Sequence, residues 1–113
     1  AEGIGFKQYS GIGGQLDYVR GSQLSKGGHS FIALESTRKE KDGSVKSKIV
    51  ISHPAGTPIT TPRAEVEYIV TEYGIADLKY ETLDVRAKRL IAIAHPDFRE
   101  ELTMEARKLG LLV

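Results

Sequence analysis

The chain has 113 residues, of which 40% are hydrophobic, and its 16 basic and 15 acidic side chains give a net charge of +1. This length and composition fit one globular domain, and the near-neutral charge argues against a dedicated binder of nucleic acids or anionic membranes. The absence of cysteine excludes a disulfide framework, a thiolate zinc site and a cysteine nucleophile from these residues.

The first third of the chain alternates short apolar runs with glycine-rich breaks. Residues 4–9 predict a strand that ends at the glycine-rich segment 10–14, and residues 15–23 predict a short helix. The Ser-Lys-Gly-Gly segment at residues 25–28 ends this helix. The compact apolar run at residues 31–34 then predicts a strand, because it has strand length and turn residues flank it.

The middle of the chain predicts a hairpin, a loop and a further strand. Asp42-Gly43 lies in the charged segment 38–48 and is a hairpin signal, with the β-branched run at 48–51 as its partner strand. The proline-rich segment that follows predicts a loop. Residues 66–73 predict a strand that stops at Gly74.

The last third of the chain changes to helical periodicity. One apolar face predicts a helix with Thr82 as N-cap, ended by His95-Pro96. The residues of that face are Leu83, Ala87, Leu90, Ile91 and Ala94. Asp97 and Glu100 predict a capping box that begins a second helix, and Gly110 predicts its end. The resulting order β, α, β, β, β, α, α indicates an α/β fold.

The glycine-rich loop is the first candidate site. Eight of the twelve glycines lie in residues 1–28, and residues 11–14 follow a predicted strand and precede a predicted helix. Glycine lets the backbone approach a ligand closely, and N–H groups at a helix start suit an anion or a developing oxyanion. Leu16 occupies the position where the dinucleotide fingerprint requires glycine, and no P-loop sequence follows. The alternative is an ordinary strand-to-helix turn.

Other polar residues offer weaker signals. Lys26 lies among flexible backbone and could meet a phosphate or carboxylate, or it is an ordinary exposed lysine. Glu72 ends a predicted strand, where α/β folds place functional groups, but it could equally accept hydrogen bonds from loop amides. His29, His53 and His95 match no local spacing of metal ligands, and nothing selects one of them as catalytic.

Four segments, in order along nearly the whole chain, resemble signatures of the acetyl-CoA hydrolase/transferase family. They are YSGIGGQLDYVRG at residues 9–21, SKGGHSFIAL at 25–34, VTEYGIADL at 70–78 and IAHPDFR at 93–99. The resemblance implies a mixed sheet with flanking helices, the C-terminal half of a CoA-transferase-like open α/β fold. Residues 1–113 are then expected to be the C-terminal segment of the family's C-terminal domain.

The resemblance also implies a reaction. A class I CoA-transferase exchanges CoA between an acyl-CoA and a small carboxylate, here of the 4-hydroxybutyrate or acetate type, through a glutamyl-CoA thioester. Coenzyme A is then a substrate, and neither a cofactor nor a metal is expected. By the family pattern the backbone of Gly14 meets CoA near the thioester, Ser10 and Gly13 flank it in the oxyanion hole, and Lys26 contacts CoA.

The nucleophilic glutamate of the family is expected upstream of the glycine loop, in a motif that this chain lacks, and Glu72 is not its equivalent. The only methionine is Met104, which predicts that the chain is either processed or a piece of a longer protein. We therefore expect this chain to be inactive alone and to need an N-terminal remainder, in a cytoplasmic homodimer that binds neither nucleic acid nor membrane. An acetyl-CoA hydrolase of the same family and a stand-alone anion- or nucleotide-binding module are the alternatives.

Overall fold

A computed structural model describes residues 2–113, over which the chain forms seven short strands and three helices. The strands are β1 (Gly3–Ile4), β2 (Lys7–Gln8), β3 (Phe31–Ala33), β4 (Thr37–Lys39), β5 (Val45–Ser47), β6 (Tyr68–Thr71) and β7 (Gly74–Asp77). The helices are α1 (Gln15–Leu24), α2 (Leu83–Ala92) and α3 (Pro96–Lys108). The described helices include none with the length and apolar character needed to cross a bilayer.

The central sheet is mixed and has the strand order β3-β6-β7. Strand β3 pairs with β6 in parallel, with Phe31 opposite Tyr68, and β6 pairs with β7 in antiparallel, with Val70 opposite Ile75. The predicted α/β class with a mixed sheet and flanking helices is therefore confirmed. Two separate hairpins, β1–β2 and β4–β5, complete the strands.

The core lies between one face of the sheet and the two C-terminal helices. Ala76 and Leu78 of the β7 region are buried against Ile93, which follows α2. A second cluster fills the space between α2 and α3. Its buried members are Ile49, Ile91, Ala94, Leu102 and Ala106. The helical face predicted from the spacing of apolar residues thus supplies much of the core.

The prediction of one strand over residues 4–9 is wrong, because two two-residue strands form a hairpin there. Ile4 pairs with Lys7, and Gly5 lies in the intervening turn with φ = +56°. A positive φ is accessible to glycine at low cost, so Gly5 turns the chain back instead of extending it.

The hairpin predicted at Asp42-Gly43 is confirmed, but its second arm is β5 and not residues 48–51. Gly43 has φ = +88°, and the carboxylate of Asp42 accepts hydrogen bonds from the backbone N–H and the hydroxyl of Ser44. Ile49 instead packs between α2 and α3, 8% exposed. Burial of its side chain against helices determines the path of this segment, and a β-branched run does not reveal that.

Gly74 does not end the strand region as predicted; it begins the return strand β7. Strand β6 is shorter than predicted, and Gly74 has φ = +145°, which lets the chain reverse directly after residues 72–73. The sequence reasoning missed β7 because the Gly-Ile-Ala-Asp run resembles the beginning of a loop.

Helix α1 is confirmed with one residue added at its C-terminal end; its N-cap is Gly14, and no side chain caps it. Thr82 is the N-cap of α2 by position, but its hydroxyl donates to the carboxylate of Asp84 and no side chain caps the backbone. The prediction of a capping box that begins at Asp97 is wrong. His95 is the N-cap of α3, and its Nδ1 accepts a hydrogen bond from the Asp97 N–H at 3.1 Å.

The end of α3 is confirmed at Gly110, where φ is +76°. The Gly110 N–H donates to the carbonyl of Arg107 at 3.1 Å, and the Leu111 N–H donates to that of Ala106 at 2.9 Å. This pair of bonds is the Schellman motif, in which a glycine satisfies the last carbonyls of a helix.

Candidate functional site

The glycine-rich loop forms a concavity of about 490 Å³ between β2 and α1. Gly13 has φ = +67°, and Gly14 is the N-cap of α1 with φ = −99°. The residues that line it are Glu2, Gly3, Ser10, Gly11, Ile12, Gly13, Gly14, Gln15 and Pro58. No side chain caps the first N–H groups of α1, so they are available to a ligand at the positive end of the helix.

The three predicted loop residues, Ser10, Gly13 and Gly14, line this one concavity. The hydroxyl of Ser10 donates to the carbonyl of Gly11 at 3.0 Å, which leaves its oxygen able to accept. A Cβ built at Gly13 would meet no atom within 4 Å, and one at Gly14 would meet only the Tyr18 ring, at 3.7 Å. The protein's own packing therefore does not require glycine at position 14, although the positive φ favours it at position 13.

Polar contacts hold α1 and the loop in place. The side-chain amide of Gln15 donates to the Thr61 hydroxyl at 2.9 Å, and the hydroxyl of Thr60 donates to a carboxylate oxygen of Glu2 at 2.6 Å. The segment predicted as a proline-rich loop thus forms a second wall of the concavity. Sequence reasoning missed this contribution because these residues are separated by 46 and 58 positions.

Lys26 is not brought together with the other three predicted residues. It lies two positions beyond the ten-residue helix α1, whose length of about 15 Å separates it from the glycine loop. Its backbone surroundings are specialised, because Gly27 has φ = +70° and a Cβ at Gly28 would lie 2.2 Å from the carbonyl oxygen of Ser22. The Ser-Lys-Gly-Gly segment is therefore a tight turn that seats the end of α1.

The carboxylate of Glu72 makes the contact expected of an acceptor for loop amides, which was the second interpretation of this residue. Its Oε1 accepts a hydrogen bond from the backbone N–H of Ser36 at 2.8 Å. Hydrogen bonds from its own backbone N–H and from that of Ser36 lower the pKa of Glu72 below its ordinary value. The carboxylate is thus ionised at neutral pH and holds the segment that follows β3.

Sequence reasoning missed a pair formed by His29 and Glu67. Nδ1 of His29 lies 2.6 Å from Oε1 of Glu67, and Oε2 of Glu67 accepts from the backbone N–H of Ser30 at 3.1 Å. The hydrogen bond with His29 is the main reason that the pKa of Glu67 is lowered. The two residues are 38 positions apart, so no local motif signals the pair; only the parallel register of β3 and β6 aligns them.

Neither of the other histidines forms part of a metal site. His95 caps α3 and packs edge to face against Tyr73 and Phe98. Across residues 2–113, His, Asp and Glu side chains form no group of three or more that could hold a metal ion.

Comparisons with known proteins place this geometry in a family. The model of the acetyl-CoA hydrolase/transferase C-terminal domain matches residues 1–106. The 4-hydroxybutyrate coenzyme A transferase of Clostridium kluyveri is 53% identical over 108 residues, 96% of this chain and 24% of that protein. The butyryl-CoA:acetate CoA-transferase of Anaerostipes caccae is 50% identical with the same coverage. An acetyl-CoA hydrolase of Yarrowia lipolytica is more distant, 29% identical over 99 residues, 87% of this chain and 18% of that protein.

Solved structures agree with these sequence matches. The crystal structure of RipA from Yersinia pestis superposes with a TM-score of 0.74 at 48% identity, over 88% of this chain and 22% of that one. The 4-hydroxybutyrate CoA-transferase of Porphyromonas gingivalis gives a TM-score of 0.66 at 42% identity, over 94% of this chain and 24% of that one. The chain spans about a quarter of the length of these relatives. With its domain model matched over residues 1–106, the chain belongs to the acetyl-CoA hydrolase/transferase family.

Proposed function

We propose that the full-length protein carrying this chain is a CoA-transferase that exchanges CoA between an acyl-CoA and a small carboxylate of the 4-hydroxybutyrate or acetate type. In this proposal residues 1–113 are a C-terminal segment of its C-terminal domain. The observation that carries the proposal is the 53% identity to a protein named 4-hydroxybutyrate coenzyme A transferase. The hydrolase relative, at 29% identity, makes hydrolysis the second candidate.

The reaction that we propose is covalent. A glutamate carboxylate attacks the thioester carbonyl, the C–S bond breaks, CoA leaves as a thiolate, and an acyl-glutamyl anhydride remains. The thiolate then attacks the glutamyl carbonyl, which releases the free acid and forms the glutamyl-CoA thioester. An incoming carboxylate reverses both steps with a new acyl group. We place the nucleophile upstream of residues 1–113, because the family pattern puts it in a motif that this chain lacks; Glu72 instead accepts a hydrogen bond from the segment after β3.

The glycine concavity has a defined role in this proposal. Each attack places negative charge on a carbonyl oxygen, and backbone N–H groups at the start of α1 would stabilise that charge. Gly13 and Gly14 would let the thioester of the bound acyl-CoA approach the backbone closely, and Ser10 would line the CoA path. Lys26, about 15 Å away along α1, would contact a different part of the extended CoA molecule as a point charge.

The activity is tested on the full-length protein with acyl-CoA donors and carboxylate acceptors, including acetate, butyrate and 4-hydroxybutyrate. We expect new acyl-CoA to form in amounts equal to the donor consumed and only when an acceptor is present. Release of free CoA at the same rate without acceptor would identify a hydrolase instead. CoA binding without turnover of any donor would favour a stand-alone binding module.

Gly14→Ala tests the role of the loop. A Cβ at this position would project beside a bound thioester but meets only Tyr18, at 3.7 Å, within the protein. We expect turnover to fall by roughly 10²–10³ if an oxyanion contact is lost, while folding stability changes by less than about 1 kcal/mol. Gly21→Ala is the matched control, because it lies within α1 with no atom within 4 Å of its Cβ. Equal turnover in the two variants would contradict the proposed role.

We further propose that the full-length protein is a cytoplasmic homodimer that works without a resident cofactor. Light scattering of the purified protein tests the dimer, and fractionation of the source cells tests the location. A monomer with full transferase activity would overturn the first statement, and recovery with the membrane fraction would overturn the second.

A further inference from the structure

The two faces of the central sheet differ in what covers them. The register places Phe31, Tyr68 and Asp77 in one row, and it places Ala33, Val70 and Ile75 in the next row on the same side. We call the five aromatic and aliphatic side chains of these rows the open face, which the exposed Asp77 borders on the edge strand β7. On the opposite side Ala76 is 1% exposed beneath α2, whereas Ile75 of the open face is 61% exposed. At β7, therefore, one side of the sheet is packed and the other is exposed, whereas Tyr68 and Val70 on β6 are half-buried.

The open face has the composition of a buried surface. Phe31, 58% exposed, stacks on Tyr68 with ring centroids 4.9 Å apart, and Ala33, Val70 and Ile75 are aliphatic. The face of an antiparallel sheet that contacts water ordinarily carries polar side chains. Parallel strand pairs such as β3 and β6 are ordinarily covered on both faces. The outer edge of β3 is also unpaired with any strand of residues 2–113, so the sheet can be extended on that side.

We infer that the open face is the surface on which the rest of the full-length polypeptide packs. The chain spans 22–24% of the length of its relatives, so the family supplies about three times as much polypeptide again. Crossover segments of the same chain are what cover parallel strands in α/β folds, which favours this occupant over a second copy. The inference rests on the family membership and on no catalytic step.

Thiol labelling of the full-length protein tests this inference, because residues 1–113 contain no cysteine. Ile75→Cys and Ala33→Cys place a thiol on the open face, and Ala33→Cys alters the packing very little. Lys41→Cys, at the exposed tip of the β4–β5 hairpin, is the exposed control, and Ala76→Cys is the buried one. Each maleimide labelling rate, read by peptide mass spectrometry, is divided by the rate of the same variant unfolded in urea.

We expect folding of the full-length protein to slow the maleimide labelling of both open-face thiols, and of Ala76→Cys, by at least about tenfold. Labelling of Lys41→Cys should be slowed by less than about twofold. Labelling of Ile75→Cys and Ala33→Cys as fast as Lys41→Cys would overturn the inference. Protection that disappears on dilution would also overturn it, since the face would then be an interface between copies. The readout does not depend on turnover, so its outcome is separate from that of the transferase assay.

Discussion

Thr71 joins the β6–β7 turn to the end of α2, and its replacement gives a quantitative test of the fold. The side chain is 7% exposed. Its hydroxyl donates to the carbonyl of Ile93 at 2.6 Å and accepts from the backbone N–H of Tyr73 at 3.1 Å. One hydroxyl thus satisfies a carbonyl on the buried residue Ile93 and an amide in the turn.

Thr71→Val keeps the shape of the side chain and removes both hydrogen bonds. Each buried group left without a partner costs about 1–3 kcal/mol, and the added methyl returns about 0.8 kcal/mol through apolar burial. Because the Tyr73 amide is only partly buried, we expect the free energy of unfolding to fall by a net amount of about 2–3 kcal/mol. Thr71→Ser keeps both bonds and loses one methyl, so it should cost about 1 kcal/mol.

Urea unfolding of the full-length protein measures the difference. Thr71→Val should lower the urea midpoint at least about twice as far as Thr71→Ser, because the same slope of free energy against urea concentration applies to both variants. Amide exchange of the peptide spanning residues 68–78 gives a local measure, and it should quicken in the valine variant. A valine variant at least as stable as the serine variant would refute the reasoning, because apolar burial would then outweigh both hydrogen bonds.

Two further variants test the other contacts that seat the sheet and α1. Glu67→Gln should remove a stabilisation that is present above the ordinary pKa of glutamate and is lost as the pH falls through the lowered pKa of folded Glu67. Urea midpoints of the parent and the variant, measured from about pH 7 to about pH 3 with Glu100→Gln as a charge control, should therefore converge in acid, and a gap that does not change with pH would contradict this. Gly28→Ala should cost about 1–3 kcal/mol, because its Cβ would lie 2.2 Å from the Ser22 carbonyl oxygen. The urea midpoint should fall, whereas Gly21→Ala should leave it unchanged or raise it, and equal midpoints for these two glycine variants would argue against the clash.

The helices and turns were predictable because their signals are local. Apolar periodicity located α2 and the core residues Ile91 and Ala94, and the glycine that must adopt a positive φ located the end of α3 at Gly110. Asp42-Gly43 likewise located a hairpin tip. The sequence resemblance identified the family from four short segments, and the family model confirms it.

The errors arose where tertiary contacts override local preference. The run at residues 48–51 was predicted as a strand because it is rich in β-branched residues, but burial of Ile49 against the helices determines its conformation. His95 is the cap of α3 in place of Asp97, because its imidazole nitrogen accepts the N–H of Asp97. At the candidate site, the loop residues could be predicted, but the distance of Lys26 from them depends on the full length of α1.

The parallel pair β3–β6 is short, and acidic side chains at both of its ends extend it. Glu67, directly before β6, accepts from the backbone N–H of Ser30 directly before β3, and Glu72, directly after β6, accepts from that of Ser36 beyond β3. Each carboxylate therefore serves as an acceptor for loop amides, which three- and four-residue strands leave without ladder partners. A carboxylate committed in this way is poorly suited to attack a thioester, because attack would require it to release those N–H groups. Neither Glu67 nor Glu72 is therefore suited to be the nucleophile of the proposed reaction.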